Sequence, residues 1–351
     1  KIKEVYIVHH SHTDIGYTDL QEQIIYNQVN NLRNVIALLQ KGEREGGALQ
    51  KLKWNCETWY CVERFLADAS EEEAAIFFDL VRRERIGLSA TYLNATDLID
   101  ADILDRRTAA LQALCTARGV PVKTAMNADI NGISLGARDV FLKNGVEFLF
   151  TNIHTHHGMY PLYQNQTAYF WENAAGQRLL VWNGEHYNLG NALGIVPNKN
   201  VNFMMESYFG KGLCDDALEN LRRNLTDSAA EYEASGYPYD FYITSVSGVF
   251  SDNAPVNPTV AIIAERFNER YGDEFTLHMV TLDELYGLIR DKVAGAPVYR
   301  GAINDWWGNG VGSTPYSVKH YKEALRIAHG CERLEAKTGV SDAALREATD
   351  A

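Results

Sequence analysis

The chain is poor in cysteine and proline. Five cysteines (Cys56, Cys61, Cys115, Cys214 and Cys331) lie scattered over 351 residues, an odd number with no C-x-x-C pair, and there are only 8 prolines. This argues against a disulfide framework and a thiolate zinc site, and predicts reduced, mostly buried thiols. Basic runs are missing as well. Lys and Arg total 33 against 46 Asp and Glu, a net charge of −13, which argues against nucleic acid or an anionic membrane as partner. No apolar stretch approaches the roughly 20 residues needed to cross a bilayer. Neither G-x-G-x-x-G nor G-x-x-x-x-G-K-[ST] occurs, so dinucleotide and P-loop readings lose their main support. There is no internal repeat and no low-complexity segment. No signal peptide is visible, which favours a cytoplasmic location, although a removed leader would make the protein secreted or periplasmic.

What remains is ordinary globular material, 46% hydrophobic and 23% charged, which excludes disorder and predicts a soluble acidic protein with a sizeable core. Short apolar runs alternate with amphipathic helical stretches. Strands are expected at about 4–9, 52–54, 86–89, 122–126, 148–151, 179–182 and 241–244. Helices are expected near 20–41, 102–118, 133–144, 214–234 and 257–270, and a long one runs from Ser317 to Ala351. In the first helix Ile24, Ile25, Val29, Leu32, Ile36 and Leu39 recur at helical spacing. Such alternation predicts parallel strands joined by helical crossovers, hence an α/β class with a barrel favoured over an open sheet. In that architecture chemistry sits at the carboxyl ends of strands.

Those ends carry four polar clusters. The first strand ends in His9-His10-Ser11-His12-Thr13-Asp14-Ile15-Gly16-Tyr17. In an extended segment residues two apart face the same way, so His12 and Asp14 point together, and imidazole with carboxylate suits zinc. A strand-end cluster satisfied by backbone groups is the bland alternative. Asp129, in Asn127-Ala128-Asp129-Ile130-Asn131-Gly132, stands where a strand gives way to a helix; an N-cap or Asx-turn is its ordinary role. Asp252 lies in the loop Ser247-Gly248-Val249-Phe250-Ser251-Asp252-Asn253, where a turn residue is the ordinary reading. Together these carboxylates and one histidine suit a metal-assisted acid/base or glycosidase site. His154, in Ile153-His154-Thr155-His156-His157, reads as part of a polar substrate loop, and Asn183, Glu185, His186 and Tyr187 form a comparable rim. Nearby aromatics, including Tyr17, Trp54, Trp59, Trp306 and Trp307, are compatible with stacking on the flat C–H faces of sugars, although most are expected in the core.

The H-x-D-x-G that ends the first strand and the N-x-D that precedes a helix resemble the catalytic domain of glycoside hydrolase family 38, the α-mannosidase family. Gly301-Ala302-Ile303-Asn304-Asp305-Trp306-Trp307 through Ser313-Thr314-Pro315-Tyr316, then Lys319 and Arg326, resembles the aromatic loop and turn that lead into that family's three-helix bundle. The resemblance implies a seven-stranded β/α barrel-like domain over residues 1–300 and the start of a helical bundle over 301–351. It implies one Zn2+ per chain, with His12, Asp14 and Asp129 as ligands. Asp129 would also be the nucleophile of a retaining glycosidase, and Asp252 falls near the general acid/base. Tyr17, His154, Tyr187 and Trp306 are expected to line a carbohydrate subsite. Carbohydrate is thus the expected partner, and homo-oligomerisation is left open.

The chain departs from the family in three places. The remaining zinc ligand is a histidine in a His-His-Asp motif that has no counterpart before Ala351; it is expected beyond that point, with His154, His156, His157 or His186 as substitutes. The arginine that commonly follows the strand after the nucleophile is replaced by the Asn152-Ile153-His154 region. Tyr17 stands where many members have Trp. Two alternatives stay open beside the glycosidase: a metal-dependent carbohydrate deacetylase and a non-catalytic glycan-binding relative.

Overall fold

The computed structural model describes residues 1–94, 98–154, 160–196, 217–248, 252–303, 306–340 and 343, without the side chains of Trp306 and Asn309. The strands are β1 (Glu4–His10), β2 (Trp54–Asn55), β3 (Ile86–Gly87), β4 (Thr124–Ala128) and β5 (Phe148–Asn152). Then follow β6 (Thr167–Glu172), β7 (Arg178–Gly184), β8 (Phe241–Ser247), β9 (Thr276–Val280) and β10 (Val298–Tyr299). The first helices are α1 (Gln21–Glu45), α2 (Trp59–Asp68), α3 (Glu71–Arg82), α4 (Ala101–Ala117) and α5 (Leu135–Lys143).

β1 lies between β8 and β9 and runs parallel to both; β2 and β3 form a parallel pair; a third sheet has the order β10-β6-β7-β5-β4. The α/β alternation expected from the sequence is therefore present. The closed seven-stranded barrel is not: among the described residues the backbone ladders form three separate sheets. Amide side chains span the gaps instead. Asn55 donates to the Val280 carbonyl at 3.0 Å and accepts from Leu282 N at 2.9 Å, tying β2 to the end of β9. Gln166, just before β6, is hydrogen-bonded to the carbonyl and amide of Ile243 in β8. These groups satisfy backbone that would otherwise be orphaned in a buried place.

Side-chain alternation makes the strands two-sided. Val5 and Ile7 of β1, Leu149 of β5 and Val181 of β7 face the helical layer. Tyr6, Val8, Met126, Phe148, Phe150, Trp182, Phe241 and Ile243 meet in a second buried cluster enclosed by the strands. Fully buried Phe148 and Phe150 each contribute about 1.5–3 kcal/mol by leaving water. Helix α1 buries Ile24, Val29, Leu32, Ile36 and Leu39, the stripe read from its spacing.

Two expectations are corrected. β6 is antiparallel to β7, because the Asn173–Gln177 turn, with Gly176 at φ +79°, folds the chain straight back rather than through a helix. The last long helix is Pro315–Thr338 rather than a run to Ala351, ended by Gly339 in the left-handed conformation at φ +72°.

Register aligns the strand ends. His10 pairs with Ser247, and Ala128 pairs with Asn152, which pairs with Gly184. Residues 11–14, 129, 153–154, 185–187 and 248 therefore follow directly on aligned carboxyl ends. The thiols of Cys56, Cys61 and Cys115 are buried and free, and Cys331 is free and half-buried. Cys214, His156 and His157 lie outside the described residues. No helix among the described residues is long and apolar enough to cross a membrane.

Candidate active site

The centre of the site is the segment after β1. His12 is 1% exposed, and its Nε2 is buried without a hydrogen-bond partner among the described residues. That nitrogen lies 3.4 Å from Asp14 Oδ1. Ligand atoms of His12, Asp14 and Asp252 all fall within 4.8 Å of one another. Once its proton is displaced, a buried imidazole nitrogen beside two carboxylates is a donor set that fits a divalent cation such as zinc.

Asparagine side chains fasten these loops. Asn253 accepts from the Asp14 amide at 3.2 Å and donates to the Asp14 carbonyl at 2.9 Å, so the residue after Asp252 holds Asp14 in place. Its φ of +53° is one that Asn tolerates well. Gln28 of α1 donates to the same Asn253 oxygen at 3.0 Å. Asn131 pairs in the same way with the backbone of His154, at 2.7 and 2.8 Å.

Asp129 leaves β4 at φ +66°, outside the usual range for a residue with a Cβ. Its carboxylate lies 2.7 Å from His154 Nε2, and its carbonyl accepts from Trp307 Nε1 at 3.2 Å. The expected ligand set of His12, Asp14 and Asp129 is thus arranged differently in this geometry. Asp252 joins His12 and Asp14, while Asp129 is engaged by His154. His186 packs edge-on against the His154 ring at 3.9 Å between centroids. Burial and the neighbouring His154 pull the His186 imidazole down to about 2, so it is neutral.

Tyr187 joins the two halves. Its ring stacks on His12 at 4.0 Å and 24°, and its hydroxyl donates to Asp252 Oδ1 at 2.9 Å. Burial raises the Asp252 carboxyl above its ordinary value; the charge of His12 and the Tyr187 bond oppose that, and Asp14 and Asp129 reinforce it. Tyr17 is 77% exposed at the rim, whereas His154 and Tyr187 are buried. The Trp306 side chain lies outside the described part. A cavity of about 830 Å³ opens beside the cluster rather than over it, lined by Ile15, Tyr60, Tyr92, Arg107, Asn127 and Phe141.

The sequence reading missed Glu57, three residues past Trp54. Its side chain is fully buried and accepts from His10 Nδ1 at 2.5 Å, His12 Nδ1 at 3.0 Å and Thr13 N at 3.0 Å, as well as from Asn94. Burial alone would raise this carboxyl; the charges and hydrogen bonds of His12 and His10 overcome that and hold it well below the usual range. For His12 burial alone would lower the imidazole, and Glu57 and Asp14 more than offset it. The available signal was an acid set between Trp54-Asn55-Cys56 and Thr58-Trp59-Tyr60, at the end of a strand and among residues that bury themselves.

The family pattern described as "Glycosyl hydrolases family 38 N-terminal domain" matches residues 3–302. No curated protein sequence matches the chain. Among solved structures, an alpha-mannosidase from Enterococcus faecalis V583 superposes with a TM-score of 0.61 at 15% identity, covering 86% of this chain and 31% of that one. A glycosyl hydrolase family 38 protein from Enterococcus faecalis gives a TM-score of 0.58 at 12% identity, covering 86% and 29%. The chain spans about a third of the length of these structures, and at such identities the likeness is one of fold. The extent of the family match settles the relationship: this chain belongs to glycosyl hydrolase family 38, whose N-terminal domain occupies residues 3–302.

Proposed function

We propose that the protein is a zinc-dependent retaining glycoside hydrolase of the α-mannosidase type, acting on terminal α-mannosidic or similar bonds. The observation that carries this reading is His12, its unpartnered Nε2 held beside Asp14 and Asp252 at the strand ends of a family 38 domain. Residues 1–300 are read as the catalytic domain, and 301–351 as the opening of a helical domain.

His12 and Asp14 would hold the zinc, with Asp129 as the third ligand. When bound, zinc supplies a Lewis acid able to chelate two adjacent hydroxyls such as the cis O2 and O3 of mannose. The remaining chemistry belongs to the chain. Asp129 attacks the anomeric carbon and forms a glycosyl ester while the bond to the leaving oxygen breaks. Asp252 donates its proton to that oxygen, and its raised pKa supports the role of acid. In the second step Asp252 takes a proton from water, which displaces Asp129 and returns the original anomeric configuration. Retention calls for carboxyls roughly 5–5.5 Å apart. Tyr187 orients Asp252, and exposed Tyr17 offers a face to the sugar.

One observation favours a second reading. Because Asp252 rather than Asp129 groups with His12 and Asp14, a metal-dependent carbohydrate deacetylase would use those three as ligands and Asp129, paired with His154, as base. Incubation with a fluorinated mannosyl fluoride, followed by peptide mapping, separates the two. A mannosyl adduct on Asp129 supports the glycosidase. Release of acetate from an acetylated sugar with no adduct on any carboxylate would replace it.

A further inference from the structure

We propose that Glu57 is the positioning residue that presents His12 to the metal. Its buried carboxylate takes the Nδ1 proton of His12 and leaves Nε2 as the nitrogen whose lone pair faces Asp14 and Asp252. This rests on the reading of His12 as a zinc ligand and names what fixes that ligand's tautomer and orientation.

The geometry carries the assignment. An ionised carboxylate only accepts, so a ring nitrogen 3.0 Å from Glu57 Oε1 must be the one bearing hydrogen. The same oxygen accepts from the amide of Thr13 at 3.0 Å and from the Asn94 amide group, which ties it to the backbone directly after His12 and to the loop after β3. The second oxygen is held by His10 Nδ1 at 2.5 Å, and His10 Nε2 in turn faces the Tyr187 carbonyl at 3.1 Å. Tyr187 then stacks on His12 at 4.0 Å. Glu57, His10, Tyr187 and His12 thus close a ring of contacts that leaves the His12 imidazole one orientation, with its unpartnered Nε2 at the site.

The arrangement is costly to fold. A carboxylate with no exposed surface forfeits its hydration, and here that loss is offset by the four donors of His10, His12, Thr13 and Asn94. Metal-ligating histidines commonly donate their other ring N–H to a carboxylate, and loss of that partner weakens metal binding about 10- to 100-fold. Glutamine keeps the shape but loses the charge that raises the basicity of His12 as a ligand. It has one accepting oxygen where Glu57 has two, so its NH2 group must face at least one of His10, His12, Thr13 and Asn94.

The test measures Zn2+ affinity of the whole protein by chelator competition for the parent, His12→Ala and Glu57→Gln, with circular dichroism as a check on folding. Alongside it, ring-15N-labelled histidine spectra of the Zn2+-titrated parent report which His12 nitrogen carries hydrogen. The expected result is a 10- to 100-fold weaker affinity in Glu57→Gln, a loss in His12→Ala, and hydrogen on His12 Nδ1 with Nε2 bound. Unchanged affinity in Glu57→Gln alongside loss in His12→Ala, or hydrogen on Nε2 in the parent, overturns the role of Glu57 and leaves the zinc site standing. Unchanged affinity in His12→Ala overturns both. If Glu57→Gln does not fold, the parent spectrum decides alone.

Discussion

The Tyr187 hydroxyl donates a 2.9 Å hydrogen bond to Asp252 Oδ1, while the same ring lies stacked on His12. A donor aimed at the ionised carboxylate favours that form, so the bond lowers an Asp252 pKa that burial raises. Tyr187→Phe removes the opposing effect, and the Asp252 pKa rises further. The acid must be protonated to donate, so the alkaline limb of the kcat/KM profile moves to higher pH. Turnover also falls about tenfold, the usual scale for losing one hydrogen bond to a charged group. An alkaline limb that stays in place in Tyr187→Phe counts against Asp252 as the acid.

Asp129 combines an unusual backbone with the proposed nucleophile. At φ +66° Asn is tolerated about as well as Asp, so Asp129→Asn should keep the fold. Its turnover should drop by on the order of 10⁴- to 10⁶-fold, as for other removed members of a catalytic group. Steady-state kinetics with a thermal melt on the same sample check both halves. Turnover within tenfold of the parent would remove Asp129 from the mechanism.

Zinc should depend on His12. In His12→Ala the unpartnered Nε2 is gone, and elemental analysis should find the metal content sharply reduced. Extended dialysis of the parent against a chelator should abolish activity, and added Zn2+ should restore it. Full activity in metal-free protein would contradict the zinc requirement.

Away from the site, Asp283 sets a pH dependence of stability. Burial raises its carboxyl from the ordinary 3.8 to about 6, helped by Glu84 and Glu147 and opposed by Thr124 and Lys123. The folded state therefore holds this proton to higher pH than the unfolded chain, and stability falls as pH rises from about 4 to about 6. Asp283→Asn escapes that loss. It should be more stable than the parent at pH 7.5, by on the order of 1–2 kcal/mol, and equal to it near pH 3.5. Denaturant titrations at the two pH values check this, and equal midpoints at pH 7.5 would contradict it.

Much of the site was legible because local rules point to it. The H-x-D spacing after an apolar strand brings His12 and Asp14 to one side, and loop composition marks Asp252 as a strand-end residue. The alternation of short apolar runs with helical stripes set the α/β class, and β1 and α1 fall where spacing puts them. What was not legible depends on long-range contact. Glu57 reaches His10 and His12 across 45 or more residues of sequence, and its apolar flanks mark burial without naming those partners. Asn94, Asn131 and Asn253 carry no sequence signal of their roles because their amide bonds to distant backbone have no period. Sheet closure was misjudged for a similar reason: strand periodicity cannot say where ladders stop and side chains such as Asn55 and Gln166 take over.

The most direct test of the account is an anomalous difference map from crystals grown with zinc. The account predicts a peak at about 2.0–2.2 Å from His12 Nε2, Asp14 and Asp129, with Asp252 outside the coordination sphere and free to move a proton. A peak held by His12, Asp14 and Asp252 with Asp129 apart from it, or no peak beside His12, would contradict the glycosidase assignment of these carboxylates.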